Sequence, residues 1–190
     1  MIRFKENVNI PNLLSSYRIL SFPIVLLFAL NNYERIFVIL LVINLITDIL
    51  DGFIARMLNQ QTELGARLDS IADIGTYILA ISGIFLFKAD DFASHLVSFC
   101  IFLSLFVFSN LLSLIKFKRL PSLHLYSWKI GGYIQGAFFF VLFVFEFNTL
   151  FYYFMILWGI LAFLEHIIIQ FIIPEMKSNQ KGLYWVVKAK

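Results

Sequence analysis

DILDGFIARMLNQQTELGARLDSIAD, residues 48 to 73, is the stretch from which the rest of the chain is read. Asp48, Asp51, Asp69 and Asp73 lie in or beside long apolar runs, where an ionised carboxylate without a partner costs several kcal/mol. With both flanks helical, Asp48, Asp51, Gly52 and Ala55 recur at steps of three, four and seven on one face, and Gly65, Asp69 and Asp73 at steps of four on another. The nine residues from Arg56 to Leu64 let the two helices turn back on each other. Facing helices then place four carboxylates in one small cavity, where like charges persist only if cations sit between them. All-oxygen ligands suit a hard ion, Mg²⁺ or Mn²⁺.

Outward from that stretch, the composition excludes a soluble globule. Of the 190 residues, 61% are hydrophobic and 18% aromatic, and the mean hydropathy is +0.86. The expected fold is an all-α integral membrane protein with six transmembrane helices and an N-terminal interfacial segment. Residues 1–14 are mixed in polarity, with Arg3 and Lys5 beside Phe4 and Ile10, and are expected to lie on the headgroups. The first span follows to Leu30, with Pro23 expected to kink it and Arg18 placed to snorkel or to meet an anionic headgroup. Further spans are expected over about 36–56, 64–87, 92–115, 130–145 and 150–173, the last stopped by Pro174. One domain, residues 1–190, accounts for the length, ending in a cytosolic tail over residues 174–190. Cys100 is the single cysteine, which excludes an internal disulfide.

Basic residues orient the spans. One side collects Arg3, Lys5, Arg18, Arg56, Arg67, Lys116, Lys118, Arg119, Lys129, Lys177, Lys181, Lys188 and Lys190, thirteen in all, against Arg35 and Lys88 on the other. That asymmetry puts both termini and the aspartates in the cytosol, in the cytoplasmic (inner) membrane of a cell. The net charge of +3 is a topological signal, and no aromatic-basic interleaving points to nucleic acid. In the tail, Tyr184 and Trp185 stand beside lysines, a combination that suits the anionic headgroup layer.

The segment SLIKFKRLPSLHLYSWKIGGY, residues 113–133, is the second informative region. Lys116, Lys118, Arg119 and Lys129 face the same compartment as the aspartates, either as an anion-binding pocket or as topology signals alone. Gly131 and Gly132 permit close helix packing beside Lys129. His124 reads as a loop residue. Glu165 and His166, adjacent inside the last span, suit a polar network within the bundle and are given no catalytic role.

The spacing of Asp48, Asp51, Gly52, Ala55, Arg56, Gly65, Asp69 and Asp73 resembles, without a mismatch, the signature of the CDP-alcohol phosphotransferase (phosphatidyltransferase) family. The resemblance implies transfer of a substituted phosphate group from a CDP-linked donor, commonly CDP-diacylglycerol, to an alcohol, with release of CMP. It implies two metal ions on Asp48, Asp51, Asp69 and Asp73, with Asp73 also the general base. Gly52, Ala55 and Gly65 would admit the nucleotide to the helix backbones, with Asp48 and Asp69 beside it, and Arg56 would hold the donor's phosphates. A six-helix bundle with an interfacial N-terminal helix and a homodimeric state are implied as well.

For the acceptor, NIPNLLSSYRILSFP is similar to the opening of the phosphatidylglycerophosphate synthase and cardiolipin synthase branches. Those branches usually carry Pro after the third aspartate and Lys after the fourth, where this chain has Ser70 and Ile74. Leu68, Asp69 and Ser70 resemble the serine-transferring branch, and QQTELGARLD the inositol-transferring one. The cytosolic cations favour a phosphorylated acceptor, and glycerol 3-phosphate is the one expected, with inositol phosphate, serine and phosphatidylglycerol as the alternatives. A divalent-cation transporter is the alternative from another class, but it lacks a second intramembrane acidic set apart from Glu165.

Overall fold

The structure, a computed structural model, describes residues 9–60, 62–118, 125–175 and 181–188, the side chains at 63 and 66 excepted. Arg3, Lys5, Arg119, Pro121, His124, Lys177 and Lys190 lie outside the described residues. Among those described, every regular element is a helix: α1 (Ile10–Leu30), α2 (Glu34–Met57), α3 (Glu63–Phe87), α4 (Ala89–Ala93), α5 (Leu96–Phe117), α6 (Tyr126–Val144), α7 (Thr149–Ile172) and α8 (Leu183–Lys188). Six of them, α1, α2, α3, α5, α6 and α7, are long and apolar enough to cross a membrane. Leu20, Val97, Ile115 and Leu150 stand exposed, as they do on helices whose solvent is lipid. The protein is an all-α, multi-pass membrane protein.

The helices fall into two compact units, residues 1–90 and 91–190. In the first, α1 packs along both α2 and α3, which touch each other less. The reason is legible on α1 itself. Its buried positions are Pro11, Asn12, Ser15, Arg18, Ser21, Val25 and Ala29, recurring at steps of three and four. The helix begins at Ile10, inside the segment expected to lie on the headgroups, because Asn9 caps it: Asn9 Oδ1 accepts from the Asn12 amide at 2.9 Å. Pro11 fits this first turn, where its missing N–H costs nothing, and Pro23 lies within α1 without ending it. Asn9 Nδ2 also donates to the Gln60 carbonyl at 3.1 Å, which fixes the start of α1 beside the turn between α2 and α3. Thr62 caps α3 through its Oγ1 and the Gly65 amide at 2.9 Å, so the connection between α2 and α3 shortens to residues 58–62. At the other end of this unit, Lys88 pairs with Glu34 at 3.4 Å and the Phe37 and Phe87 rings meet at 5.4 Å.

In the second unit, α7 packs against α5, α6 and the short α8. Close approach is set by missing side chains. A Cβ at Gly159 would run into the Phe102 ring of α5, and one at Gly131 would stand 3.4 Å from the Trp158 ring of α7. Nothing lies that close to Gly132, so only Gly131 of the expected glycine pair makes the contact. Gln170, fully buried, donates to the Ser109 carbonyl at 3.0 Å, and His166 packs against Trp128 with ring centroids 4.6 Å apart. The tail helix docks by Val186 against Leu125, Ile169 and Ile173. Glu165 holds it there, its carboxylate accepting from the Leu183 amide at 2.8 Å and from the Ser127 hydroxyl.

Candidate active site

Asp48 and Asp51 come from the last turns of α2, and Asp69 and Asp73 from the first turns of α3. One helical turn separates the members of each pair, so both helices present two carboxylates to the same point. Asp48, Asp51 and Asp69 each bring an oxygen within 4.8 Å of the other two, a donor set of a kind that holds a divalent ion. The expected convergence of these aspartates is therefore present in the fold.

What stands between them is Arg18. Its Nη1 donates to Asp48 Oδ1 at 2.6 Å and Asp73 Oδ1 at 3.0 Å, and its Nη2 to Asp51 Oδ2 at 2.6 Å and Asp69 Oδ1 at 2.8 Å. The snorkelling expected for Arg18 is overturned by these bonds, since the residue is only 2% exposed. The physical cause is direct: four carboxylates lie within hydrogen-bond reach, and their charge-assisted bonds hold the guanidinium among the helices. Ser15, one turn earlier on α1, donates to Asp51 Oδ2 at 3.0 Å, and Ser21 donates to Asn44 Oδ1 at 3.2 Å. Arg18 Nε and Asn44 Nδ2 are buried without a partner. Ser15, Arg18 and Ser21 were missed as site residues in the sequence reading. Their signal was polar side chains every three residues on an apolar helix, the face that α1 turns toward α2 and α3.

The cluster has a closed floor and an open rim. Arg18 and Asp51 have side chains 1% and 5% exposed, while Asp48, Asp69 and Asp73 are 42%, 46% and 43% exposed. Three carboxylates are thus reachable from outside by an ion or an anionic group carried by one. Arg56 lies over Gly52, where a Cβ would come within 3.5 Å of its Nη1. Ala55 is half-buried on the same helix. Gly65 is needed for a contact that the spacing did not foretell: a Cβ there would collide with Asn12 Oδ1. α1 therefore closes on the signature glycine as well as on the signature aspartates.

The basic residues of the second unit are placed as follows. Lys116 Nζ donates to the carbonyls of Gln170 at 2.6 Å and Phe171 at 3.4 Å, capping the end of α7. Lys118 ends α5 in the left-handed conformation, φ 58°. Lys129 Nζ stands 6.0 Å from the centre of the Tyr126 ring. Glu165 is occupied in holding α8, and His166 belongs to the buried contact with Trp128 and Gln170.

A four-carboxylate site at the end of two membrane helices defines a class of protein, and comparison with known families agrees. The family model described as CDP-alcohol phosphatidyltransferase matches residues 8–171, and the chain belongs to that family. Several curated proteins named CDP-diacylglycerol--glycerol-3-phosphate 3-phosphatidyltransferase are similar to it in part. One from Aquifex aeolicus (strain VF5) is 43% identical over 83 residues, which is 43% of this chain and 46% of that protein. One from Rickettsia typhi (strain ATCC VR-144 / Wilmington) is 44% identical over 68 residues, 34% of this chain and 38% of that protein. The match thus spans less than half the length of each of these relatives. No solved structure matches the chain.

Proposed function

We propose that the protein transfers the phosphatidyl group of CDP-diacylglycerol to the hydroxyl of glycerol 3-phosphate and releases CMP. The observation that carries this reading is the convergence of the four signature aspartates on one point, three of them half-exposed at the rim. The names of the partial relatives support glycerol 3-phosphate as acceptor. The cations that the sequence assigns to the same compartment, Lys118, Arg119 and Lys129, suit a phosphorylated alcohol better than a neutral one, whereas Lys116 is engaged at the end of α7.

The donor set fits a hard divalent ion, as the oxygen-only ligands and the guanidinium already seated among them indicate. Asp48, Asp51, Asp69 and Asp73 would hold Mg²⁺ or Mn²⁺, two ions in all, supplying charge neutralisation and polarisation of the phosphoryl group. The chain's own residues do the rest. Arg56, over Gly52, binds the donor's diphosphate, and Gly52 and Ala55 leave the backbone open to the nucleotide. Asp73 takes the proton of the acceptor hydroxyl as its oxygen bonds to phosphorus and the bond from phosphorus to the CMP oxygen breaks. The site opens to the cytosol, where CDP-linked and phosphorylated substrates are found, and the protein works as a homodimer.

The test is release of labelled CMP by the purified protein from CDP-diacylglycerol, with glycerol 3-phosphate, inositol phosphate, serine and phosphatidylglycerol as acceptors in turn. CMP release with glycerol 3-phosphate, abolished by a chelator and restored by Mg²⁺ or Mn²⁺, is expected. Full turnover in excess chelator would remove the metal, and turnover only with another alcohol would remove the acceptor.

A further inference from the structure

We propose that Arg18 is the resident counter-ion of the carboxylate cluster: its guanidinium fills the cation position while no metal is bound, and a divalent ion enters by displacing it. The inference rests on the metal reading above and adds the means by which the site holds its shape beforehand.

The geometry of the fork carries it. Each terminal nitrogen bridges the two helices, Nη1 joining Asp48 of α2 to Asp73 of α3 and Nη2 joining Asp51 of α2 to Asp69 of α3. A bridging metal ion would make the same connections. It needs carboxylate oxygens at about 2.0–2.1 Å, and the same carboxylates already meet a nitrogen at 2.6 to 3.0 Å. Ion and guanidinium therefore compete for one space, and their like charges exclude each other there. One guanidinium offsets a single charge of the four carboxylates, whereas a divalent ion offsets two. Nε has no partner, so moving the head group away breaks only the bonds that the metal replaces.

Without Arg18, four acidic groups would face one another across α2 and α3 with no cation between them until an ion arrived. Arginine suits the task and lysine does not, because only a planar fork reaches four carboxylates with fixed spacing.

The experiment compares wild type, Arg18→Gln and Arg18→Lys, each purified in nanodiscs and titrated with Mn²⁺ by calorimetry. Arg18→Gln is expected to bind Mn²⁺ about tenfold more tightly than wild type, ~1.4 kcal/mol, because nothing has to be displaced. Arg18→Lys is expected to fall between. In chelator Arg18→Gln should melt below wild type, and the gap should close at saturating Mn²⁺. Equal or weaker Mn²⁺ binding by Arg18→Gln overturns the proposal while leaving the metal reading intact. Mn²⁺ binding by none of the three overturns both. Should Arg18→Gln fail to fold, wild type labelled with ¹⁵N-arginine decides. The protected guanidinium signals seen in chelator should shift or vanish on adding diamagnetic Mg²⁺, and signals unchanged at saturating Mg²⁺ overturn the proposal.

Discussion

Asp73 differs from its three neighbours in how it is held. Its bond to Arg18, at 3.0 Å, is the longest of the four, and the carboxylates grouped within 4.8 Å are Asp48, Asp51 and Asp69. A carboxylate on the edge of a ligand set is the one free to move a proton. Asp73→Asn keeps the shape and removes the carboxylate proposed as the base, so turnover should fall by about 10²-fold or more with the donor's KM little changed. Initial rates of CMP release against donor concentration measure this, and near-normal turnover would take the base role from Asp73. Spacing alone brought the aspartates together, because helical periodicity converts sequence separation directly into a shared face. Arg18 was hidden for the opposite reason. A basic residue near a helix end snorkels by default, and only its partners on two other helices, 30 to 55 residues away in sequence, reverse that.

At the scale of elements, the hydrophobic runs placed the six long helices to within a few residues, and side-chain caps account for the starts of α1 and α3. The Asn9 cap starts α1 at Ile10, and the Thr62 cap starts α3 at Glu63. The fourth span was expected from about Phe92, but α4 takes Ala89–Ala93 and α5 begins only at Leu96. The docking of α8 through Glu165 could not be read from the sequence, since a lone acidic residue in a span carries no address for its partner. Packing of α5 on α7 depends on Gly159, whose missing side chain admits the Phe102 ring. Gly159→Ala should therefore destabilise the protein by about 1–3 kcal/mol, the usual range for overpacking a tight contact. Thermal unfolding in detergent at fixed lipid ratio checks it, and an unchanged midpoint would mean that the ring simply swings aside.

Across the whole molecule, the topology expected from the sequence sorts the basic residues thirteen to two between the two sides, and that expectation yields a labelling pattern. In a Cys100→Ser background, Asp90→Cys should react with a membrane-impermeant maleimide added outside intact cells, and Glu175→Cys should react only after permeabilisation. Both positions are exposed. The reverse pattern would turn the aspartate site away from the cytosol. The buried ion cluster also bears on how the chain is made. α1 leaves the ribosome before α2 and α3, carrying Arg18 into a bilayer where an unpaired arginine at mid-helix costs about 2.5–3.5 kcal/mol on insertion scales. Its four partners are not synthesised until α2 and α3 emerge. α1 is thus a poor membrane anchor by itself, and its stable integration during biosynthesis waits for the hairpin that follows it.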